Sequence, residues 1–212
     1  MRFREAIVEG MPDHFSMPEE FLSLADWSEQ QGYVVSSGGY IADPAIHETA
    51  DIRLHGGHRP DWPAGYLKDP SRLFAVGNTG GDGSEFCLWL DDNGVQHVVH
   101  HGSGSGSILW ATFPSPGCVL RLFAVGYFTP AFNEEWAAAP LDPWAGEYEE
   151  GEATFNQVVD AGLAPYRAWL HDRWGEPTPA TGIEALRLSP AEAELWTLDG
   201  PADDPFYRWL SE

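Results

Sequence analysis

The chain has 212 residues, 43% of them hydrophobic and ten of them tryptophan, enough to bury the core of one domain and too apolar for a disordered chain. Its 33 acids against 11 bases leave a formal charge of −22, which makes nucleic acid and anionic membrane poor partners and a basic protein a fitting one. No run approaches the roughly 18 apolar residues of a membrane span, and the opening MRFREAIVEGMPDHF carries acids and no apolar signal core, so a cytoplasmic location is expected.

Residues 1–15 show no clear period and read as a lead-in. Ser16-Met17-Pro18-Glu19 fits a capping box with proline near a helix start. Phe21, Leu24, Ala25 and Trp27 or Ser28 then share a face as far as Gln31, and Gly32 suits the C-terminal cap. Tyr33 to Ile41 reads as a short hairpin or irregular strands around Gly38-Gly39, and Asp51 to Leu54 as an edge strand. His55 to Gly65 reads as a loop because prolines and glycines break a ladder.

The stretch from Ser71 to Tyr127 holds the sheet. Leu73–Val76 is a short buried run ended by the Gly/Asn/Asp cluster at 77–83. Phe86–Leu90 and Val95–Val99 flank Asp91-Asp92-Asn93-Gly94, and Asn-Gly favours a hairpin because the turn needs positive φ. Ile108-Leu109-Trp110 follows as a fourth run. The hexapeptide Arg-Leu-Phe-Ala-Val-Gly occurs at 72–77 and again at 121–126, with unrelated flanks, so no domain is duplicated. The first copy meets a turn cluster at once and reads as strand. The second follows Ser115-Pro116, an N-cap and first helical position, and would set Leu120, Phe123, Ala124 and Tyr127 on one helical face.

Residues 129–152 read as an acidic insertion that folds back on the surface, with Trp136 and Trp144. A helix is expected from about Ala153, interrupted or restarted at Pro165, with Tyr166, Trp169, Leu170 and Trp174 on its apolar face and Gly175 at its end. Ser189-Pro190-Ala191-Glu192 is a second capping box. Pro205 to Leu210 reads as a helical turn docked on the body.

Few constellations carry chemistry. His55-Gly-Gly-His58 and His97-Val-Val-His100-His101 lack a third ligand at a usual spacing, so exposed or sheet-edge histidines are expected and no metal. The tract at 102–107 lacks the lysine of a phosphate loop and the context of a nucleophile elbow. Asp82 sits outside a calcium-loop pattern. Asp91-Asp92 and Glu147-Tyr-Glu-Glu150 pair carboxylates, but adjacent acids at a hairpin tip stay exposed and ordinary. Cys87 and Cys118 make no disulfide framework and read as buried, reduced thiols.

The order LFAVGNTGGDGSEFCLWL…NGVQHVVHHGS…VLRLFAVGY…YRAWLHDRWGEPTP resembles the SUKH superfamily, the group of fungal cell-wall-regulator-like and bacterial immunity proteins. His97–Ser103 matches its "PVVHxGSEG"-like strand, Val119–Tyr127 its "FLRLLAIGY"-like helix, and Arg167–Leu170 with Gly175 and Pro177 its closing segment. The Gly/Ser tract replaces the acid usual after "GS", and the acidic insertion and the tail beyond Ile183 look additional.

The reading is thus an α+β fold, a twisted, mostly antiparallel sheet with helices packed on it. Residues 1–15 lead in, 16–182 form a single domain with the insertion at about 129–152, and 183–212 add a helical extension. The resemblance implies a protein-binding module with no catalytic residues and no cofactor, most simply an immunity protein that neutralises a nuclease-type bacterial toxin. Between Leu73 and Tyr166 the only cation is Arg121. Charge clustering there places the partner surface on Asp82, Glu85, Asp91, Asp92, Glu147, Glu149 and Glu150, with Trp136 or Trp144 as anchor. A regulatory or scaffolding module without a toxin is the alternative. A hydrolase using His97, His100 or His101 with an acid is the third reading.

Overall fold

Alternation along Glu85–Leu90 sends Phe86 and Leu88 to one face of a strand and Cys87 and Trp89 to the other, and all four are buried, so this strand needs cover on both sides. The computed structural model, which describes residues 1–36, 40–42, 53–56, 67, 69–79, 83–103, 110–127, 135–195 and 203–211, supplies that cover. Seven strands pair in chain order, each antiparallel to the next: β1 (Val34–Ser36), β2 (Tyr40–Ala42), β3 (Arg53–Gly56), β4 (Leu73–Asn78), β5 (Glu85–Leu90), β6 (Gln96–His101) and β7 (Ala111–Thr112). With the helices packed on this sheet, the fold is α+β.

The larger core lies on the face of Phe74, Val76, Phe86, Leu88 and Val98, under α1 (Phe3–Ala6), α2 (Glu19–Gln31), α3 (Pro116–Val125), α4 (Phe155–Trp174) and α5 (Gly182–Leu186). α6 (Pro190–Leu195) follows. The opposite face carries Leu73, Cys87, Trp89 and Val99 and is covered by Phe206 and Trp209 of α7 (Pro205–Ser211). Cys87 and Cys118 are reduced, buried and divided between these two cores. Burial raises the Cys87 thiol well above its ordinary pKa, with the charge of Glu85 adding to the effect.

The repeated hexapeptide folds two ways, as expected: Leu73–Asn78 is strand and Pro116–Val125 is helix. In the helix, Leu120, Phe123 and Ala124 are all buried, and so is Tyr127 just beyond it. Ser115 is extended before Pro116, but its hydroxyl lies 3.4 Å from the Cys118 sulfur and makes no cap bond. The hairpin at 91–94 closes with Asp91 N–H donating to Val95 O (2.9 Å) and Gly94 at φ 75°.

Several expectations need correction. The lead-in holds a helical turn whose Phe3 and Ala6 are buried; Arg2 and Arg4 bind Asp26 at 3.0 and 2.5 Å, and Gly56 of β3 lies against the Ala6–Ile7 backbone. A single turn shows no period, so sequence alone misses it. The start of α2 has Pro18 at its cap and no side-chain capping bond; Ser16 instead exchanges two 2.8 Å hydrogen bonds with the Gln96 amide. β3 is an interior strand between β2 and β4 and includes His55 and Gly56. β4 runs through Gly77, past an irregularity between Ala75 and Gly77 that shifts its register on β5. α4 continues unbroken through Pro165, whose position is exposed, so the absent N–H leaves no buried orphan. The expected runs at 38–39 and 108–109 and the Gly/Ser residues 104–107 lie outside the described residues. Among the described residues no helix is long and apolar enough to cross a membrane.

Candidate interaction site

The acids and tryptophans expected to form one surface do not come together. Asp82 lies outside the described residues. Glu85 is 3% exposed, opposite His101 in the β5–β6 ladder, so it is not a surface acid; strand alternation turns it onto a covered sheet face. Trp136 is fully buried and anchors its own loop: it stacks on Phe113 at 6.3 Å, meets His100 edge-on at 5.8 Å, and leaves no room for a Cβ at Gly182. Asp91 and Asp92 sit at the hairpin before β6, whereas the loop of Trp136 packs at the His100 end of that strand.

The histidines are also placed differently from expectation. His55, His100 and His101 are buried. The His100 Nε2 lies 2.7 Å from Thr79 Oγ1, a reach that would suit a nucleophile and its base. Both side chains are completely enclosed, however, and the bond ties the end of β4 to β6. Burial, helped by His100, lowers the His101 pKa to about 4, which keeps the ring neutral. Among the described residues no group of three or more His, Cys, Asp or Glu is placed to hold a metal ion.

At the hairpin tip, Asp91 is neither exposed nor ordinary. Its Oδ1 accepts the Val95 and Asn93 N–H groups at 2.8 and 2.9 Å, and its Oδ2 lies 3.4 Å from His97 Nε2. These bonds, that from Val95 foremost, hold its pKa below the usual carboxylate range. Asp92 is 86% exposed and accepts from Arg72 Nη1 at 2.7 Å. Arg72 in turn donates Nε–H to Leu90 O and lies 5.8 and 5.3 Å from the Trp89 and Trp209 ring centres. A cleft of about 380 Å³ opens here, between the hairpin and α7. Sequence reading missed Arg72, Arg208, Trp89 and Trp209. The available signal was the presence of arginines in a chain with so few bases.

The remaining expected residues form a second surface on the loop before α4. Asp142 organises it: its Oδ1 accepts Trp144 N–H at 3.0 Å and the Tyr148 hydroxyl at 2.7 Å, and that hydroxyl accepts Phe155 N–H at 2.7 Å. Thr154 and Gln157 complete a capping box at the helix start. This scaffold leaves Leu141 74% and Trp144 39% exposed, with Trp144 resting edge-on against Phe155 at 5.3 Å. Glu147, Glu149 and Glu150 follow in the same loop, exposed and with no ion pair among the described residues. A groove of about 410 Å³ adjoins, with Pro140, Asn156, Arg167 and Pro179 in its walls. Arg167 closes one side, donating to Ala124 O and Val125 O at 2.8 and 3.2 Å and pairing with Asp160 at 2.7 Å.

Comparison with protein-family models, with curated proteins and with solved structures finds no match to this chain.

Proposed function

We propose that the protein is a non-catalytic binding module that takes a basic protein partner on the loop 139–152. One observation carries this reading: Leu141 and Trp144 stand exposed on the loop that also holds Glu147, Glu149 and Glu150, exposed acids with no ion pair among the described residues. An exposed tryptophan held by its own scaffold loses little entropy on docking and supplies anchor area. Unpaired acids on the same loop steer a cationic surface into place and disfavour an anionic one. The SUKH-like order of motifs makes that partner a toxin in this proposal, a nuclease whose phosphate-binding groove the glutamates fill, met in the cytoplasm. Asp91 and Asp92 are left out of the surface because both carboxylates already serve the hairpin and Arg72.

The test uses the full chain as bait on its native lysate and secretome at low and moderate salt, beside Trp144→Ala and a Glu147/Glu149/Glu150→Gln variant. Recovery of one basic protein with toxic activity, weakened by either variant and by salt, is the expected result. A partner retained undiminished by both variants would place binding elsewhere. Recovery of housekeeping or wall-synthesis proteins alone would make the module regulatory.

A further inference from the structure

The cleft between the β5–β6 hairpin and α7 is rich in unused donors, an odd feature in a chain with 33 acids and 11 bases. Trp89 is 2% exposed, forms part of the cleft wall, and its indole N–H has no acceptor. Arg72 uses Nε on Leu90 O and Nη1 on Asp92, but its Nη2 is buried without a partner. Arg208, exposed at the rim on α7, makes no side-chain hydrogen bond or ion pair among the described residues. Buried donors left unpaired are costly and uncommon in folded proteins, so two at one cleft call for an acceptor.

We propose that this cleft binds a carboxylate, with Arg208 and Arg72 Nη2 holding its oxygens and the Trp89 N–H donating a further bond. Planar guanidinium groups match a carboxylate in shape as well as charge. Asp69, Asp91 and Asp92 border the same cleft, but the first is held by Ser71, the second by its own turn and the third by Arg72. Their negative charge selects a monoanion over a phosphate dianion. The volume suits a group of about amino-acid size, and the Trp89 and Trp209 rings offer an apolar wall to its body. Both donor nitrogens are covered, so entry requires the Trp209 ring, which lies against Arg72 and Trp89, to shift on α7. The site is independent of the loop 139–152 and of any toxin.

Proton–nitrogen correlation NMR of the full chain tests this, following the Trp89 indole N–H during titration with N-acetylglycine or N-acetylglycinamide at constant ionic strength. The signal is assigned by its loss in Trp89→Phe or, should that variant not fold, by its proximity to the His97 ring, 5.5 Å away between centres. The acid should shift it downfield and saturably while the amide leaves it in place. Arg208→Gln, an exposed change, should weaken binding by about tenfold or more. A glycine-terminated peptide that binds more tightly than N-acetylglycine makes the natural source a chain terminus; equal binding makes it a small acid. No saturable shift, an equal response to the amide, or undiminished binding by Arg208→Gln overturns the proposal.

Discussion

Gly77 and Gly126 end identical hexapeptides, yet each must be glycine for a different reason. Gly77 lies in strand β4, where a Cβ would collide with the Arg53 carbonyl oxygen and the Phe86 ring. Gly126 caps α3 in the left-handed conformation, at φ 91°, with a Cβ position 2.9 Å from a Val159 methyl and 3.0 Å from one of Leu163. Gly126→Ala should cost about 1–2 kcal/mol for the backbone, plus what the two methyls cannot yield. Gly77→Ala should cost about 3 kcal/mol or more, because a strand backbone cannot move aside. Gly94→Ala, at φ 75° with open space around it, is the control at about 1 kcal/mol. Urea unfolding of the three variants checks the ranking; Gly77→Ala as mild as Gly94→Ala would contradict it.

The two arginines of the repeat differ as much. Arg121 donates Nε–H to Ala185 O at 3.0 Å and Nη2–H to Glu184 O at 2.7 Å, and pairs with Glu176 at 2.6 Å, so it latches α5 onto α3. Lysine has no fork to reach all three, and Arg121→Lys should lose about 3 kcal/mol. Arg72→Lys, on a partly exposed side chain, should lose no more than about 1.5 kcal/mol. Chemical denaturation distinguishes them, and equal losses would remove the latch from the account.

Helix α7 should contribute strongly to stability for its length. Phe206 is fully buried against Trp89, and Asp204 accepts Phe206 N–H and Thr112 N–H, both at 2.9 Å, capping the helix and tying it to β7. Phe206→Ala should cost about 3–4 kcal/mol, and Asp204→Ala about 1–2 kcal/mol. Tryptophan fluorescence during unfolding reports both, because Trp89 and Trp209 lie under the same contact. If Phe206→Ala leaves the midpoint unmoved, the second core is dispensable.

Acid should weaken the fold through His101. With its folded pKa near 4 against an ordinary 6.5, the folded state binds fewer protons than the unfolded one between those values. The stabilising effect of the neutral ring is therefore intact above about pH 6.5 and is lost as pH falls toward 4, by at most about 2–3 kcal/mol. Relief of repulsion in a chain of charge −22 acts the other way but is shared by a variant. Wild type should thus lose more stability than His101→Asn between pH 7 and pH 4.5 in urea titrations. Parallel losses would sink the assignment.

The sequence by itself determined the strand at Phe86–Leu90, the turn at Asp91–Gly94, the opposite fates of the two hexapeptides, and the helix ends at Gly32 and Gly175. These follow from local physics: side-chain period, positive φ, and proline at a first helical position. Of the candidate surface, Trp144, Glu147, Glu149 and Glu150 are exposed as their acidic, turn-rich setting suggested.

What only the tertiary structure decided was which polar and aromatic side chains meet water. Glu85 and Glu149 are the same residue type in the same acidic stretch, and Trp136 and Trp144 stand eight positions apart in one loop. Yet Glu85 and Trp136 are buried while Glu149 and Trp144 are exposed. That outcome depends on elements distant in the chain: β6 beside Glu85, and Phe113, His100 and Gly182 around Trp136. The meeting of Arg72, Trp89 and Arg208 at one cleft likewise required α7 to cross the second face of the sheet. Burial is a property of the assembled layers, and no local pattern encodes the partner that covers a side chain from far along the chain.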